Sequence, residues 1–599
     1  MASEGKVAGN QAVEDPMDRQ SRIYRMRHTA AHVMAQAVTE IFPDAKLAIG
    51  PPIEEGFYYD FELPRPLTPD DLTDIETRMR RIVKENLALS YSEKPRAEAL
   101  AYEEQRGQPY KVELIQDLPE GETISFYTQG TFTDLCRGPH VENTGQIGVF
   151  KLDKIAGAYW RGDERRAMLQ RIYGVLFQTQ EELDAYFARV EEARKRDHRV
   201  IGKQLGLFMN SAIVGPGMPL WLPKGATIRR ILERYITDQE LDAGYEHVYT
   251  PQVAKVELYK QSGHWYHYRD SMFPPMKVEN EEFVLRPMNC PHHIQIYKNE
   301  AHSYRDLPIR IAEIGTMNRF EKSGELSGLS RVRVMNLNDA HIFCREDQVK
   351  DEVKKALLMI EATYKRLGIT GYRYRLSLHD PANTEKYVNN PALWEKAENE
   401  LREVFADLDL PYFEALGEAA FYGPKIDIQL ADVMGHEETV STVQVDRHLP
   451  NQFDLEYTGD DGQFHRPVMI HRGVIGTMER MVSYLIEYYA GAFPAWLAPV
   501  QTIVLPIADR HHEYANQVAS ALKGAGFRVE VDARNEKVGK KVAEAETQKI
   551  PYMLVVGDRD AAAGNVSVRK RGQQDLGAMP QADFLSLLQE DVKSDPVTA

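Results

Sequence analysis

Two pairs near the start of the chain have residue types and spacing suited to chemistry: His28 with His32, and Cys136 with His140. Residues four apart on a helix stack on one face. Three imidazoles and a thiol would bind a zinc ion or orient water for hydrolysis, and the residues alone leave both readings open beside ordinary packed histidines. No glutamate follows His28, which excludes the HExxH protease pattern. Farther on stand Cys290 in RPMNCPHH, His341 in NDAHIFC and His471 in MIHRGVIGTMER. They are too dispersed for a zinc finger. Three protein ligands with one position open is the form of a catalytic zinc site, and unrelated core residues are the plain alternative. Arg319 and Glu321 lie in MNRFE, ahead of the loop EKSGELSGLS. An arginine beside such a turn suits a clamp on nucleotide phosphates. Arg480 sits near the start of a helical run with apolar positions Met481, Val482, Leu485, Ile486 and Tyr489. The helix dipole disfavours a cation there, and an anionic ligand at the same end resolves the conflict.

Positioning these residues requires several folded regions. Residues 1–20 are polar, without apolar period, and read as a flexible tail. Residues 21–176 open with the helical run HTAAHVMAQAVTEIF, ended by Pro43, and continue through turn and strand patterns. Residues 177–205 are strongly charged with helical period, which predicts one long exposed helix. Residues 206–495 mix strands such as PIRIAEIG with helices. Residues 496–599 alternate cleanly between strand and helix, predicting a small α/β domain with a mainly parallel sheet.

Composition bounds the partners. Lys and Arg total 73 against 90 Asp and Glu in 599 residues, a net charge of −17. That excludes a general basic coat for nucleic acid, so any RNA site must be local. Candidate clusters are RMRRIVK at Arg78 to Lys84, RNEKVGKK at Arg534 to Lys541 and VRKR at Val568 to Arg571. Three cysteines in so long a chain argue for a reducing compartment. The polar N-terminus is no signal peptide, and no run approaches the ~20 apolar residues of a membrane helix. A cytoplasmic protein is expected.

MNRFE and GVIGTMER resemble motifs 2 and 3 of the class II aminoacyl-tRNA synthetases, and TPQV resembles motif 1. IGPPIEEGFYYDFE, GAYWRGD, SGHW, RPMNCPHH, DAHIFC, FYGPKID, STVQVD and VDARNEKVGKK together resemble the bacterial threonyl-tRNA synthetase family over nearly the whole chain. The resemblance implies an α+β multidomain protein: a catalytic core (206–495) built on an antiparallel sheet with helices, an α+β editing domain (21–176), a linker helix (177–205) and a C-terminal α/β anticodon-binding domain (496–599). It implies that Cys290, His341 and His471 hold zinc, and that Arg319, Glu321 and Arg480 contact ATP. Asp339, Tyr422, Gln444 and, in the same matched segment, Lys425 line the threonine pocket. His28, His32, Lys111, Asp134, Cys136 and His140 form the editing site, and Asn535 and Arg569 read the anticodon. ATP with Mg²⁺, threonine and tRNA(Thr) are the implied partners, and the motif 1 resemblance implies a homodimer. The family's N-terminal ubiquitin-like domain is expected to be missing. Leu337 and Thr439 stand where the family has glutamine, so Leu337, Asn338 and Thr439 receive no role.

The implied chemistry is coherent. An apolar pocket separates threonine from isosteric valine by only about 10²-fold. A zinc ion with an open position can take the amino group and hydroxyl of threonine together. Serine keeps the hydroxyl and loses a methyl worth about 1–3 kcal/mol, so binding alone admits some serine and a hydrolytic editing site follows. Rival readings are an RNA-binding regulator that has lost catalysis, a zinc hydrolase built on the first region, and another class II specificity.

Overall fold

The structure is a computed structural model and describes residues 17–594. Most of the tail expected over residues 1–20 lies outside the described residues. The chain divides into two compact units, Met1–Arg189 and Val190–Ala599.

In the first unit, helix α1 (Arg22–Ile41) starts where the Ser21 side chain accepts a hydrogen bond from the Tyr24 N–H, and it stops at Phe42, ahead of Pro43. Its alanine-rich face lets it lie close against its neighbours. Ala30, Met34 and Val38 share a core with Phe57, Tyr59 and Phe61 of the strand Gly56–Glu62 and with Ile75, Met79 and Ile82 of the helix Pro69–Glu85. That strand runs antiparallel to Met168–Phe177, which pairs in turn with Val149–Tyr159. A separate three-stranded sheet joins Leu89–Lys94, Ile124–Gln129 and Phe132–Leu135.

The charged segment forms two helices, not the single one expected: α2 (Gln180–Arg196) and α3 (His198–Gln204). Asp197 breaks the run because its side chain caps α3, accepting from the Arg199 N–H. His198 is buried. Its Nδ1 lies 2.6 Å from Glu487 Oε1, and its Nε2 accepts from the Leu329 N–H at 3.0 Å. Both ring nitrogens are thereby used, so the neighbouring Asp197 and Glu487 carboxylates complete a hydrogen-bonded joint. Gly328 (φ +48°) is required beside it: a Cβ there would sit 2.1 Å from His198 Nε2.

The second unit is built on an eight-stranded sheet. Helix α4 (Pro223–Asp242) precedes β1 (Glu246–His247), and helix α5 (Cys290–Lys298) precedes β2 (Ile309–Asn318). Then come β3 (Val334–Cys344), β4 (Arg373–Leu378), β5 (Tyr412–Leu416), β6 (Lys425–Ala431), β7 (Glu437–Asp446), β8 (Val468–Gly473) and helix α6 (Met478–Tyr488). The order is β1-β2-β3-β8-β7-β6-β4-β5, antiparallel except for the outer pairs β1–β2 and β4–β5. Strand alternation sends Ala340, Ile342, Ile470, Val443, Val445 and Ile426 to one face, where they share a core with Leu232 and Ile236 of α4 and Met481 and Leu485 of α6. Alternate residues of the same strands line the opposite face.

The last region joins β9 (Thr502–Pro506), helix α7 (His512–Gly524), β10 (Val529–Val531), helix α8 (Val538–Thr547), β11 (Tyr552–Val556), β12 (Asn565–Lys570) and β13 (Gln574–Pro580). Its sheet, β10-β9-β11-β12-β13, is half parallel and half antiparallel. The expected mainly parallel sheet is corrected here by the return from β12 to β13. Gly572 (φ +87°) and Gln573 (φ +65°) make that turn too tight for a crossover. β13 is exposed, lacks alternating apolar positions and is interrupted by Gly577, so it carries little strand signal in the sequence.

Candidate functional site

One row across the large sheet carries most of the core's reactive side chains. His341 on β3 faces His471 on β8, His471 faces Gln444 on β7, and Gln444 faces Lys425 on β6. Directly opposed residues point to the same face, so the register gathers side chains separated by up to 130 residues. Cys290 joins them from the first turn of α5. The donor atoms of Cys290, His341 and His471 all lie within 4.8 Å of one another, and all three residues are buried.

The hydrogen bonds around this trio suit a metal. His471 Nε2 is 2.9 Å from Asp446 Oδ2, so the ring donates there, while buried Nδ1 has no partner. His341 Nδ1 is engaged by His293 Nδ1 at 2.7 Å, while buried Nε2 has no partner. Two unpartnered ring nitrogens and a thiol close together are a donor set that fits a metal ion. Burial lowers His341 well below the usual histidine range and raises the Cys290 thiol well above its own.

Residues beside the trio are polar and held in place. Asp339 accepts from Asn289 Nδ2 at 3.0 Å and lies 4.0 Å from His341 Nε2; burial raises its carboxyl. The Tyr422 hydroxyl donates to Gln444 Oε1 at 2.5 Å, and its ring stacks on His471 with centroids 5.0 Å apart. Lys425 Nζ is 2.8 Å from the buried Asp427 carboxylate, which Arg375 and Ser377 also approach.

Arg319 directly follows β2, and its backbone N–H donates to the Arg333 carbonyl. Its half-buried guanidinium has only Met288 Sδ, at 4.0 Å, as a side-chain partner and no carboxylate in ion-pair reach among the described residues. Burial, and then the charge of Arg480, lower its pKa. Arg480 occupies the first turn of α6, where the Thr477 side chain caps its N–H; its guanidinium donates to the carbonyls of Ser330 and Thr439. Glu321 is ion-paired with Arg331 at 2.8 Å.

In the first unit, α1 and the segment after Phe132–Leu135 bring the two sequence pairs together. Cys136 Sγ lies 3.3 Å from His28 Nε2 and 3.2 Å from His140 Nε2. His28 Nδ1 donates to the Pro139 carbonyl, and His140 Nδ1 to the Thr29 hydroxyl, whose own proton goes to the Arg25 carbonyl. Both Nε2 atoms are therefore acceptors facing one thiol. Burial lowers His28 to about 4 and His32 to about 3, and raises the Cys136 thiol to about 12. The cluster is a set of neutral imidazoles around a protonated thiol. Beside it, Lys111 Nζ lies 2.6 Å from Asp134 Oδ1, and the Tyr59 hydroxyl donates to Asp134 Oδ2 at 2.5 Å.

Asn535 lies in the loop before α8 and Arg569 on β12; both are exposed and apart from the sheet row. Arg569 is 3.4 Å from Asp575. The basic clusters are less free than their sequences suggest. Lys541 is buried and donates to the carbonyls of Pro506 and Asp532, and Arg571 clasps the carbonyls of Ala492, Phe493 and Lys549. Arg78, Arg80 and Arg81 are all ion-paired.

Sequence reasoning passed over His293, Glu313 and Asp446, which orient the two histidines of the trio, and Asn289, which holds Asp339. One signal was available: Cys290 and His293 are three apart on one helix and so share a face. Asn338, left without a role, is buried and donates to Glu240 on α4.

The antiparallel sheet, with Arg319 after one strand and Arg480 opening the following helix, is the core of a class II aminoacyl-tRNA synthetase. Residues 275–489 match the tRNA synthetase class II core domain (G, H, P, S and T), residues 501–591 the anticodon binding domain, and residues 124–173 the threonyl and alanyl tRNA synthetase second additional domain. The chain is 58% identical over 569 residues to the threonine--tRNA ligase of Geobacillus sp. (strain WCH70), covering 95% of this chain and 88% of that one. It is 56% identical to that of Listeria monocytogenes over 568 residues, covering 95% and 89%. A crystal structure of the RNA binding domain of threonyl-tRNA synthetase from Cryptosporidium parvum superposes with a TM-score of 0.63 at 36% identity, covering 67% of this chain and 99% of that one. This chain belongs to the threonine--tRNA ligase family. It activates threonine with ATP, joins it to tRNA, and carries the second additional domain of threonyl and alanyl tRNA synthetases, which supports an editing role.

Proposed function

We propose that the sheet row is the threonine site and that Cys290, His341 and His471 hold one zinc ion there. The observation that carries this reading is the pair of buried unpartnered ring nitrogens, His341 Nε2 and His471 Nδ1, on residues whose ligand atoms lie within 4.8 Å of each other and of the Cys290 thiol. When bound, zinc supplies a coordination point for the amino and hydroxyl groups of threonine. Asp339, Tyr422 and Gln444 flank that point, and Lys425, neutralised by Asp427, closes the row. Valine, which has no hydroxyl, leaves these polar groups unpaired and is rejected. The experiment is threonine-dependent ATP–pyrophosphate exchange before and after zinc removal. Exchange should vanish with a chelator and return with zinc; full exchange without zinc would end the reading.

Arg319 holds the α-phosphate of ATP and Arg480 the γ-phosphate, and Mg²⁺ carried in with ATP would supply further charge neutralisation there. Glu321, oriented by Arg331, contacts the nucleotide. Activation is a displacement at phosphorus in which positioning and charge stabilisation do most of the catalysis. Preorganised arginines meet the α-phosphate charge as the threonine carboxylate attacks.

The first unit hydrolyses seryl-tRNA without a metal. The Nε2 atoms of His28 and His140 already face the Cys136 sulfur at hydrogen-bond distance, whereas buried His32 Nδ1 has no partner among the described residues. His28 and His32 orient water, with Cys136 and His140 beside the ester; the high thiol pKa argues against a thiolate nucleophile. Lys111 and Asp134 order the site. Asn535 and Arg569 read the anticodon of tRNA(Thr). The TPQV segment, next to Tyr249 at 97% exposure, supports a homodimer through that face. No helix among the described residues is long and apolar enough to cross a membrane, and we place the enzyme in the cytoplasm.

A further inference from the structure

The two histidines of the core trio are each presented by a carboxylate, by different routes. Asp446 takes the Nε2 proton of His471 directly. His341 is reached through a second imidazole. Glu313 Oε2 lies 3.3 Å from His293 Nε2, and His293 Nδ1 lies 2.7 Å from His341 Nδ1. All three residues are buried, His293 and His341 completely. Glu313 receives the Thr250 N–H at 3.1 Å and hydroxyl at 2.7 Å, and Arg286 approaches both its oxygens at 3.3 Å.

With both rings neutral, proton counting along this chain leaves one arrangement. An ionised carboxylate only accepts, so His293 Nε2 carries a proton. Neutral His293 then has a bare Nδ1. Two nitrogens 2.7 Å apart need one proton between them, and His341 Nδ1 must supply it. His341 Nε2 is thus a lone pair facing Cys290 and His471, and it has no other partner. We propose that His293, oriented by Glu313, is a positioning residue that holds His341 in the tautomer able to coordinate a metal. The inference rests on the zinc reading above and extends it to residues that touch neither substrate nor ion.

An isosteric change tests the order of protons. In Glu313→Gln, the amide oxygen is drawn to the Oε1 position, because the Thr250 backbone N–H there is a fixed donor, whereas the Thr250 hydroxyl at Oε2 can rotate. The amide nitrogen then faces His293 Nε2 and donates. His293 shifts its proton to Nδ1, and His341 must move its own to Nε2, where a metal would bind. His293→Phe removes the relay outright, and His293→Gln keeps an oxygen able to accept from His341.

The measurement is zinc affinity of the full-length chain by competition with a chromophoric chelator, together with the visible spectrum of the Co²⁺-substituted protein and a thermal melt. Glu313→Gln and His293→Phe should bind zinc about 10- to 100-fold more weakly than the unaltered chain, with an altered cobalt spectrum, and His293→Gln should recover part of the loss. Unaltered chain that binds one zinc ion, with variants that melt cooperatively and bind it within twofold, would overturn the relay. Unaltered chain that binds no zinc would overturn the metal reading itself, and the relay with it. If Glu313→Gln or His293→Phe fails to fold, His293→Gln set against the unaltered chain decides the outcome: weaker zinc binding supports the relay, and binding within twofold overturns it.

Discussion

Replacing Arg319 by methionine should separate function from stability. In the free enzyme the guanidinium is half-buried, has the Met288 sulfur at 4.0 Å as its one side-chain hydrogen-bond partner among the described residues and is opposed by Arg480. Burial and like charge both disfavour it, so a neutral side chain of similar length removes a cost from the folded state. Its guanidinium N–H groups meet no oxygen acceptor among the described residues, so their full donor capacity is available to a phosphate. A bidentate grip comprises two charge-assisted hydrogen bonds of about 1.5–3 kcal/mol each. Their loss corresponds to about 10²- to 10⁴-fold in rate, at 1.36 kcal/mol per tenfold. ATP–pyrophosphate exchange should fall by that factor while the melting temperature holds or rises. Arg319→Lys, which keeps the charge and loses the fork, should fall between. Exchange within tenfold of the parent, or a drop in melting temperature large enough to account for the loss, would refute the argument.

Cys136→Ala should raise seryl-tRNA accumulation in a charging assay with labelled serine and leave threonine charging unchanged; equal mischarging by both enzymes removes Cys136 from editing. Glu103 has a fully buried side chain whose carboxyl is pushed up to about 7, burial outweighing the nearby Arg106. Its folded pKa lies above the unfolded value, so its contribution is whole below about pH 4.5 and lost as pH rises through about 7, costing up to about 3 kcal/mol. Thermal melts of the first unit should show that decline, and Glu103→Gln should flatten it; a parallel decline in both proteins would count against the assignment. Arg472 and Glu240 form a completely buried pair at 2.6 Å, with Asn338 and His247 on the same carboxylate. Arg472→Met should cost about 3–5 kcal/mol of core stability in urea by leaving Glu240 uncompensated, and a loss below about 1 kcal/mol would show the charge to be solvated.

Local periodicity made α1, its stop at Pro43 and the alternation after residue 500 readable, because each depends on residues within a few turns of one another. The two four-residue pairs of the first unit were readable for the same reason. The sheet row was not: His341, His471, Gln444 and Lys425 meet through strand register, which no short window contains. Charge also misled. Lys541 and Arg571 look like surface cations in a basic string, yet both are spent on backbone carbonyls, because a long aliphatic stem can carry a charge inward to acceptors that need it. Asp197 was lost in a run of charges, although an acidic cap inside a helical pattern is what splits it.

The joint at His198 bears on where the catalytic core can be cut. The matched class II segment begins at residue 275, but Ile201, Leu205 and Leu207 belong to the same apolar core as the sheet. His198 fastens the loop at Leu329 to the last turn of α6, the helix whose first turn carries Arg480. Truncation at residue 275 would therefore strip a fastener from both segments proposed to grip the nucleotide, whereas a fragment opening at Asp197 retains the ring, its two partners and the cap that starts α3.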